Sequence, residues 1–286
     1  MTKSNLNQRT RISKFCFKAF CQIFMIALTI FMLFPVFWAF LTALKPNNLI
    51  YSYPPVFFTN QFTLENFSYA LQAQNIPQAA INTVLLATLT AAVSSILSMI
   101  AAYAFSRYNF KGKAFLFAFL VVPMLIPGLT NLIPLYSAYS KLGIDNTYIG
   151  LILLYIPGTV SFATIVMKNF FDSLPTTIEE AALIDGCSNF SVIWRVVLPV
   201  VLPGASAIFI INFVTIWNDF LITLIFTRTN EMRTLTLTIY NMIGTSTVKQ
   251  GPLSATAFMT LAPALVVFLI FRKKFISTML DGAVKG

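Results

Sequence analysis

Histidine is absent from the 286-residue sequence, and cysteine occurs only three times, as Cys16, Cys21 and Cys187. Without histidine the chain cannot build a Ser-His-Asp triad, a histidine-ligated zinc site or an HExxH helix. No two cysteines form a CxxC pair, so a four-ligand zinc site is also excluded. The sequence lacks a GxxxxGK[ST] loop, which excludes an ATP site of the Walker A type in this chain. We therefore predict no catalytic residue and no metal ligand.

Charged residues are scarce: there are 19 Lys and Arg and 9 Asp and Glu, together 10% of the chain. A soluble domain carries about 25%, because its surface is in contact with water. Apolar residues reach 57%, and mean hydropathy is +0.79. This composition predicts a polytopic membrane protein. The net charge of +10 does not indicate nucleic-acid binding, because the cations flank long apolar runs and form no basic face.

Six apolar segments are long enough to cross a membrane, which takes about 20 residues in a helix. They span about residues 19–44, 79–105, 114–136, 148–167, a fifth from about 201 with Asp219 near its far end, and 253–271. We predict an all-α fold with six transmembrane helices in residues 19–271, a basic segment 1–18 before them and a tail 272–286 after them. The first segment has the basic front of a signal peptide, but its charge-free run of 26 residues favours an uncleaved anchor.

The distribution of Lys and Arg predicts the orientation, because the cytoplasmic loops of membrane proteins are enriched in these residues. With the N terminus inside, 14 of the 19 lie in inner segments and 5 in outer segments. Both termini are therefore predicted to be cytoplasmic, in a multi-pass protein of the plasma or inner membrane. Residues 168–199 form a long inner loop. The three cysteines fall on this reducing side, where disulfides are not expected.

The inner loop contains a short predicted helix that ends at Gly186, a residue typical of helix C-termini. Thr176 with Glu179, and Thr177 with Glu180, both match the capping-box pattern. One interpretation is an amphipathic helix on the lipid headgroups, although its acidic residues disfavour an anionic membrane surface. The other is a helix that another protein approaches closely, because its small residues leave the backbone accessible.

The same loop resembles the EAA signature of ABC importer membrane subunits. That signature is Glu-Ala-Ala, three residues, Gly, nine residues and Ile-x-Leu-Pro. Here it reads Glu180-Ala181-Ala182, three residues, Gly186, nine residues and Val196-Val197-Leu198-Pro199, with Val196 in place of Ile. Residues 103–108, 111–113, 133–136 and 142–148 are similar to carbohydrate importers, and residues 217–220 and 281–286 to the subfamily that includes the smaller maltose-type permease subunit.

The resemblance implies the fold of a type I ABC importer permease without catalytic activity of its own. The implied partners are a second homologous permease subunit, a dimer of ATPase subunits that binds ATP and Mg, an extracytoplasmic solute-binding protein and membrane lipid, with no nucleic acid and no cofactor in this chain. The residues implied in coupling to the ATPase are Glu180, Ala181, Ala182, Asp185, Gly186, Leu198 and Pro199. The tail residues Lys285 and Gly286 would also reach towards the ATPase.

Polar residues within the apolar segments are candidates for a pathway, because unpaired polar groups are costly in lipid. These candidates are Asn131, Asn212, Asn218 and Asp219. Asn82 is interpreted as a helix cap. Asn212 would line a cavity or bond to a neighbouring helix. Asp219 would pair with Arg228 or Arg233, or be solvated, in a structural or gating role more than in direct sugar contact.

The third apolar segment is rich in proline, with Pro123, Pro127 and Pro134 in close succession. Each proline frees a backbone carbonyl, and freed groups at membrane depth need protein or water as a partner. We expect this segment to be broken or kinked beside a translocation cavity. A kink that packs wholly against other spans is the alternative.

These observations predict a permease subunit of an ATP-driven importer, with a sugar or oligosaccharide as its solute. Glycerol-phosphate or another small polar solute is the alternative, because importers of both classes share these motifs. An intramembrane enzyme would need a nucleophile or an acid pair at depth, which Asp219 alone does not supply. A secondary transporter usually has more spans and has ionisable coupling groups near the midplane.

Overall fold

The computed structural model describes residues 3–126, 128–243 and 249–283, and every regular element within these ranges is helical. The α-helices are α1 (Lys3–Ala43), α2 (Asn47–Ile50), α3 (Glu65–Ala73), α4 (Ile76–Arg107), α5 (Lys113–Leu125), α6 (Leu132–Leu142), α7 (Tyr148–Asp172), α8 (Thr177–Ile184), α9 (Asn189–Val192), α10 (Leu198–Trp217), α11 (Leu221–Phe226), α12 (Leu235–Ile243) and α13 (Gln250–Ala283). Two 3₁₀ turns (Gly128–Asn131 and Asn230–Met232) and a π-helical turn (Ile193–Val197) complete the set. The all-α prediction is confirmed.

In the part of the chain that the structure describes, five helical segments are long and apolar enough to cross a membrane. They are Phe17–Ala43, Ile76–Arg107, Tyr148–Asp172, Asn189–Trp217 and Gln250–Ile270. At 1.5 Å per residue, each exceeds or approaches the roughly 30 Å of a bilayer core. They coincide with five of the six predicted spans.

The third predicted span is a broken element and not one continuous helix. Its first part, α5, has 13 residues and ends at Leu125, where Ile126 turns to an extended conformation with φ −87° and ψ 122°. Ile126 precedes Pro127 in the sequence, and the helical conformation is disfavoured for a residue that precedes a proline. The chain then resumes with a 3₁₀ turn and α6. The expected break is observed, and Ile126 marks its start.

The helices belong to two compact units, one formed by Met1–Ala73 with Ser246–Met259 and the other by Gln74–Thr245 with Thr260–Gly286. In the second unit, α4, α7 and α10 pack together. Their shared core contains Ala102, Ala163, Met167, Phe171, Val201, Ala205 and Ile208. Small residues allow close helix contact in membranes, and the hydroxyls of Ser94 and Thr159 join α4 to α7 at 2.7 Å.

Asn82 fixes one end of the second unit and is not a helix cap, because α4 already begins at Ile76. Its amide is fully buried and makes four hydrogen bonds. Its Nδ2 donates to the carbonyl oxygens of Glu231 and Arg233, at 2.6 and 2.8 Å. Its Oδ1 accepts from Tyr148 Oη at 2.7 Å and from Gln78 Nε2 at 2.9 Å. The loop before α12 is thereby held against α4 and α7.

A second amide reinforces this end of the unit. Asn146, in the turn before α7, has φ 55°, and its Oδ1 accepts from the backbone N–H of Arg228 at 2.8 Å. Its own N–H donates to the carbonyl of Phe226 at 2.9 Å. Arg228 also pairs with Asp145 at 2.6 Å. The α6–α7 turn and the end of α11 therefore form one connected surface.

Candidate functional site

The signature-bearing loop folds as α8, a helix of two turns closed by a glycine. Gly186 has φ +85°, a left-handed conformation. Its N–H donates to the carbonyl of Leu183, and the N–H of Cys187 donates to that of Ala182, both at 3.0 Å. These two bonds form a Schellman motif, so the predicted C-terminal cap is present. No atom lies within 4 Å of where a Cβ of residue 186 would stand, so conformation and not space requires glycine here.

The two predicted capping boxes are not formed at the start of α8. Thr176 is itself helical, with φ −63° and ψ −24°, and its side chain makes no capping bond. An N-cap needs an extended backbone to aim its oxygen at the following N–H groups. The carboxylate of Glu179, which would complete the first box, is engaged elsewhere.

Glu179 connects α8 to the last turn of α4. Its Oε1 accepts from Nε of Arg107 at 2.7 Å, and its Oε2 accepts from Tyr103 Oη at 3.0 Å. The side chains of Arg107 and Glu179 are 11% and 14% exposed, so the pair is largely shielded from water. Arg107 also donates to the carbonyl of Leu174, at 3.2 Å. No local sequence pattern signals this link, because it joins residues 72 positions apart.

A second charged link joins the same turn of α4 to the end of α7. Ser106 Oγ donates to Asp172 Oδ1 at 2.6 Å, and Lys168 pairs with Asp172 Oδ2 at 2.5 Å. The end of α4 therefore binds both α7 and α8 through polar side chains.

The predicted coupling residues divide between the surface and the core. Glu180, Ala181, Asp185, Gly186 and Pro199 are exposed, Leu198 is half-buried and Ala182 is buried. Ala182 packs in the shared core with Val192 and Val197, so it serves close packing within this chain. The exposed side of the loop also carries large apolar side chains. They are Ile178, Leu183, Ile184, Phe190 and Trp194.

Leu198 and Pro199, at the end of the signature, lie where a π-helical turn becomes α10. The N–H of Leu198 donates to the carbonyl of Ile193, five residues earlier. Pro199 lies in the first turn of α10, where a helix tolerates a residue without a backbone N–H. Pro199 therefore lies at the point where the loop continues into the spanning helix, directly after a turn whose hydrogen bond spans five residues instead of four.

A cavity of about 430 Å³ lies between α7, α10 and α11. Its lining residues are Leu154, Tyr155, Gly158, Thr159, Phe162, Ile211, Asn212, Thr215, Asp219 and Ile222. Asn212 is 2% exposed, and its Nδ2 has no hydrogen-bond partner among the described residues. Asn212 therefore lines the cavity, and its Nδ2 bonds to no neighbouring helix among the described residues.

Asp219 borders the same cavity, and neither arginine expected as its partner binds it. Its Oδ1 accepts from Tyr155 Oη at 2.8 Å and from the backbone N–H of Ile222 at 3.1 Å. Arg228 pairs with Asp145 instead. Among the described residues, Arg233 makes no ion pair with Asp219. Asp219 thus caps α11 and holds Tyr155 on the cavity wall.

The other candidate pathway residues are not among those that line this cavity. Asn218 is exposed, and its Nδ2 donates to the carbonyl of Val214 on its own helix at 2.9 Å. Asn131 is exposed at the end of a 3₁₀ turn. Lys285 and Gly286 lie outside the described residues.

Comparison with known proteins identifies relatives along most of the chain. The sulfoquinovosyl glycerol transport system permease protein SmoH of Agrobacterium fabrum is 30% identical over 254 residues, which cover 89% of each chain. The trehalose transport system permease protein SugB of Mycobacterium tuberculosis is 30% identical over 256 residues, which cover 89% of this chain and 93% of SugB.

Solved structures share the fold. A chain of a bacterial ABC transporter that imports the acidic polysaccharide alginate matches with a TM-score of 0.79, at 19% identity, over 92% of this chain and 98% of that chain. Residues 94–273, which include the signature loop and the cavity, match the family described as binding-protein-dependent transport system inner membrane component. The chain therefore belongs to this family of non-catalytic membrane subunits of ABC importers.

Proposed function

We propose that the chain is one of two permease subunits of an ATP-driven importer for a sugar or oligosaccharide, and that α8 couples it to the ATPase. The observation that carries the proposal is the construction of α8. Its outer side exposes an acidic and apolar surface, while Glu179 on its other side is bound to α4. A helix so arranged can receive a displacement from a docked partner and pass it to a spanning helix.

The acidic and apolar surface of α8 suits a protein partner better than a lipid surface. Glu180 and Asp185 are exposed beside Leu183 and Ile184. The anionic surface of the inner leaflet would repel the two carboxylates, whereas a protein cleft can pair them while burying the apolar side chains. This favours docking on an ATPase subunit over a helix at rest on the headgroups.

The implied partners follow from this arrangement. The chain has no Walker A loop, so ATP and Mg would be bound by a dimer of separate ATPase subunits. The 14-to-5 excess of Lys and Arg on one side supports cytoplasmic termini and a cytoplasmic α8. A solute-binding protein would deliver the solute from outside; the alginate transporter has been solved in complex with such a periplasmic protein, bound to an alginate pentasaccharide.

The cavity supports a polyhydroxyl solute. Asn212 and Asp219 offer amide and carboxylate groups that hydrogen-bond to hydroxyls, and Tyr155 and Phe162 offer aromatic surface. None of the described residues that line it is Lys or Arg. A phosphate group would be desolvated there without a counter-charge, which is costly. The cavity therefore favours a sugar over glycerol-phosphate and is proposed as part of the pathway.

Reconstitution tests the proposal. The chain alone in liposomes should neither hydrolyse ATP nor accumulate sugar. The chain together with its second permease and ATPase subunits should hydrolyse ATP when the loaded binding protein is added, and should accumulate radiolabelled sugar. Accumulation by the chain alone, driven by a proton or sodium gradient, would instead identify a secondary transporter and contradict the proposal.

A further inference from the structure

The first unit contains a lysine that is buried without a counter-charge from that unit. Lys45 is 3% exposed and lies two residues beyond the end of α1. It makes no salt bridge with any described residue. The sequence of the unit includes a single acidic residue, Glu65, which is exposed at the start of α3. Buried charges in proteins are usually paired, so the lone ammonium of Lys45 requires an explanation.

The chain's own contacts satisfy this ammonium only in part. Its Nζ donates to the carbonyl oxygen of Val56 and lies 4.6 Å from the ring centre of Trp38. An ammonium has three N–H donors, so two of them have no oxygen acceptor in the part of the chain that the structure describes. Burial lowers the pKa of Lys45, as expected for a cation whose surroundings do not compensate its charge.

A cavity of about 320 Å³ adjoins the lysine, and each polar side chain that lines it can donate a hydrogen bond. Thr42, Tyr51, Gln250 and Ser254 contribute hydroxyl and amide groups beside Lys45. None of the described residues that line it carries a carboxylate, and the remaining ones are apolar or aromatic. A cation beside several hydroxyl and amide groups that can donate is suited to an oxyanion, whose acceptor oxygens can bind the cation and these donors together.

The position of the cavity along the chain narrows the choice of oxyanion. The apolar segment Phe17–Ala43 ends just before Lys45, so the ammonium lies close to the level at which hydrocarbon gives way to headgroups. Trp38 and Tyr51, which border the cavity, are aromatic types enriched at that level. The oxyanion present there at high concentration is the phosphate of phospholipids.

We propose that Lys45 and the adjoining cavity bind the phosphate group of a membrane phospholipid. The phosphate oxygens accept from the ammonium and from Thr42, Gln250 and Ser254, which supplies the counter-charge that the unit lacks. The acyl chains lie along the apolar surface of α1, whose Phe residues are exposed. The lipid thus becomes a fixed part of the loop between α1 and α3.

Native mass spectrometry of the purified full chain, titrated with phosphatidylglycerol, tests this proposal. The wild type should retain one lipid under activation that strips the others. Lys45→Met keeps the apolar stem and removes the charge, and should weaken that one binding event about tenfold, as expected for a lost charge-assisted hydrogen bond. The matched control is Lys249→Met, at an exposed lysine of the same unit that lies 4.8 Å from the Tyr69 ring, and it should bind like the wild type.

Three outcomes would overturn the proposal. One is equal lipid retention by wild type and Lys45→Met. Another is that millimolar inorganic phosphate stabilises the wild-type protein although no lipid is retained, which would assign the site to free phosphate. The third is that Lys45→Met weakens assembly with the partner subunits and leaves lipid binding unchanged, which would assign the cavity to an acidic group of a partner. If Lys45→Met does not fold, the test is made on the wild type with two lipids. A phosphate-free glycolipid must then bind more weakly than phosphatidylglycerol, and equal binding of the two would overturn the proposal.

Discussion

The two ends of the second unit are held together by different chemistry. At the α8 end, the ties between elements use charged side chains: the ion pair of Arg107 with Glu179 joins α4 to α8, and the hydrogen bond of Ser106 to Asp172 joins α4 to α7. At the opposite end of α4, the central tie is the neutral amide of Asn82, which is fully buried and bound four times. A satisfied buried amide fixes one geometry, whereas ion pairs on long side chains can follow a moving helix. The difference indicates a rigid end and a compliant end.

This contrast agrees with the coupling role proposed for α8. The α8 end would follow the opening and closing of the ATPase dimer. The Asn82 end holds the loop before α12 in place against α4 and α7, which would keep a constant surface for a binding protein. Substitutions at each end should therefore differ in kind: loss of stability at the rigid end, and loss of coupling at the compliant end.

The largest effect on stability is expected at Asn82. Asn82→Leu leaves the hydroxyl of Tyr148 and the carbonyls of Glu231 and Arg233 without the partner that the buried amide provides, and each orphaned group that stays shielded from water costs about 1–3 kcal/mol. We expect a loss of about 3–5 kcal/mol in unfolding free energy, measured by thermal or denaturant unfolding of the purified chain. The control is Asn218→Leu, at an exposed amide bonded only to its own helix, which should change stability little. A similar loss in both variants would contradict the rigid-end interpretation.

At the compliant end, Glu179→Gln should reduce coupling more than stability. The variant keeps an acceptor for Tyr103 but removes the charge that binds Arg107. We expect solute-stimulated ATP hydrolysis by the reconstituted complex to fall about tenfold, the equivalent of one charge-assisted hydrogen bond, while the ATPase subunit still co-purifies. Glu180→Gln, at the exposed neighbouring position, should instead weaken co-purification.

The reversed pair, Arg107→Glu with Glu179→Arg, provides the decisive control for this link. Restoring the opposite charges should recover part of the stimulated hydrolysis that either single substitution removes, because the attraction depends on the pair and not on its order. No recovery, together with normal insertion of the double variant, would show that the link does not transmit motion.

The sequence predicts those features that depend on local pattern and fails where distant groups compete. The five long spans follow from apolar length, and the glycine cap of α8 follows from the left-handed conformation that Gly186 tolerates. The capping box fails because the carboxylate of Glu179 finds a cation 72 residues away in the chain. The pairing of Asp219 fails for a similar reason, because Arg228 is bound by Asp145. Spacing along the sequence does not tell which of several distant groups a carboxylate will bind.

A moderate effect is expected at Gly186, where charge and shape can be separated. Gly186→Asn and Gly186→Asp are nearly isosteric, and asparagine and aspartate both visit the left-handed conformation at modest cost. Open space surrounds the position, so both variants should insert and lose no more than about 1–2 kcal/mol in unfolding free energy. Only Gly186→Asp adds a charge to the proposed docking surface. We expect the Asp variant to lose ATPase co-purification and stimulated hydrolysis well beyond the Asn variant. Equal behaviour of the two variants would show that the ATPase does not dock at Gly186.

The smallest effect on stability is expected at Asn212, between the two ends. Its buried amide nitrogen has no partner among the described residues, so Asn212→Leu removes an unsatisfied polar group and leaves none behind. Unfolding free energy should stay within about 1 kcal/mol of the wild type, or rise. Transport should nevertheless fall, because the cavity loses the group that would bind solute hydroxyls, and Asn212→Ser, which keeps a hydroxyl, should transport better than Asn212→Leu. The measurement pairs unfolding of the purified chain with sugar uptake by the reconstituted complex. A strongly destabilised Asn212→Leu would mean that the amide supports the fold, and unchanged uptake would remove this cavity from the pathway.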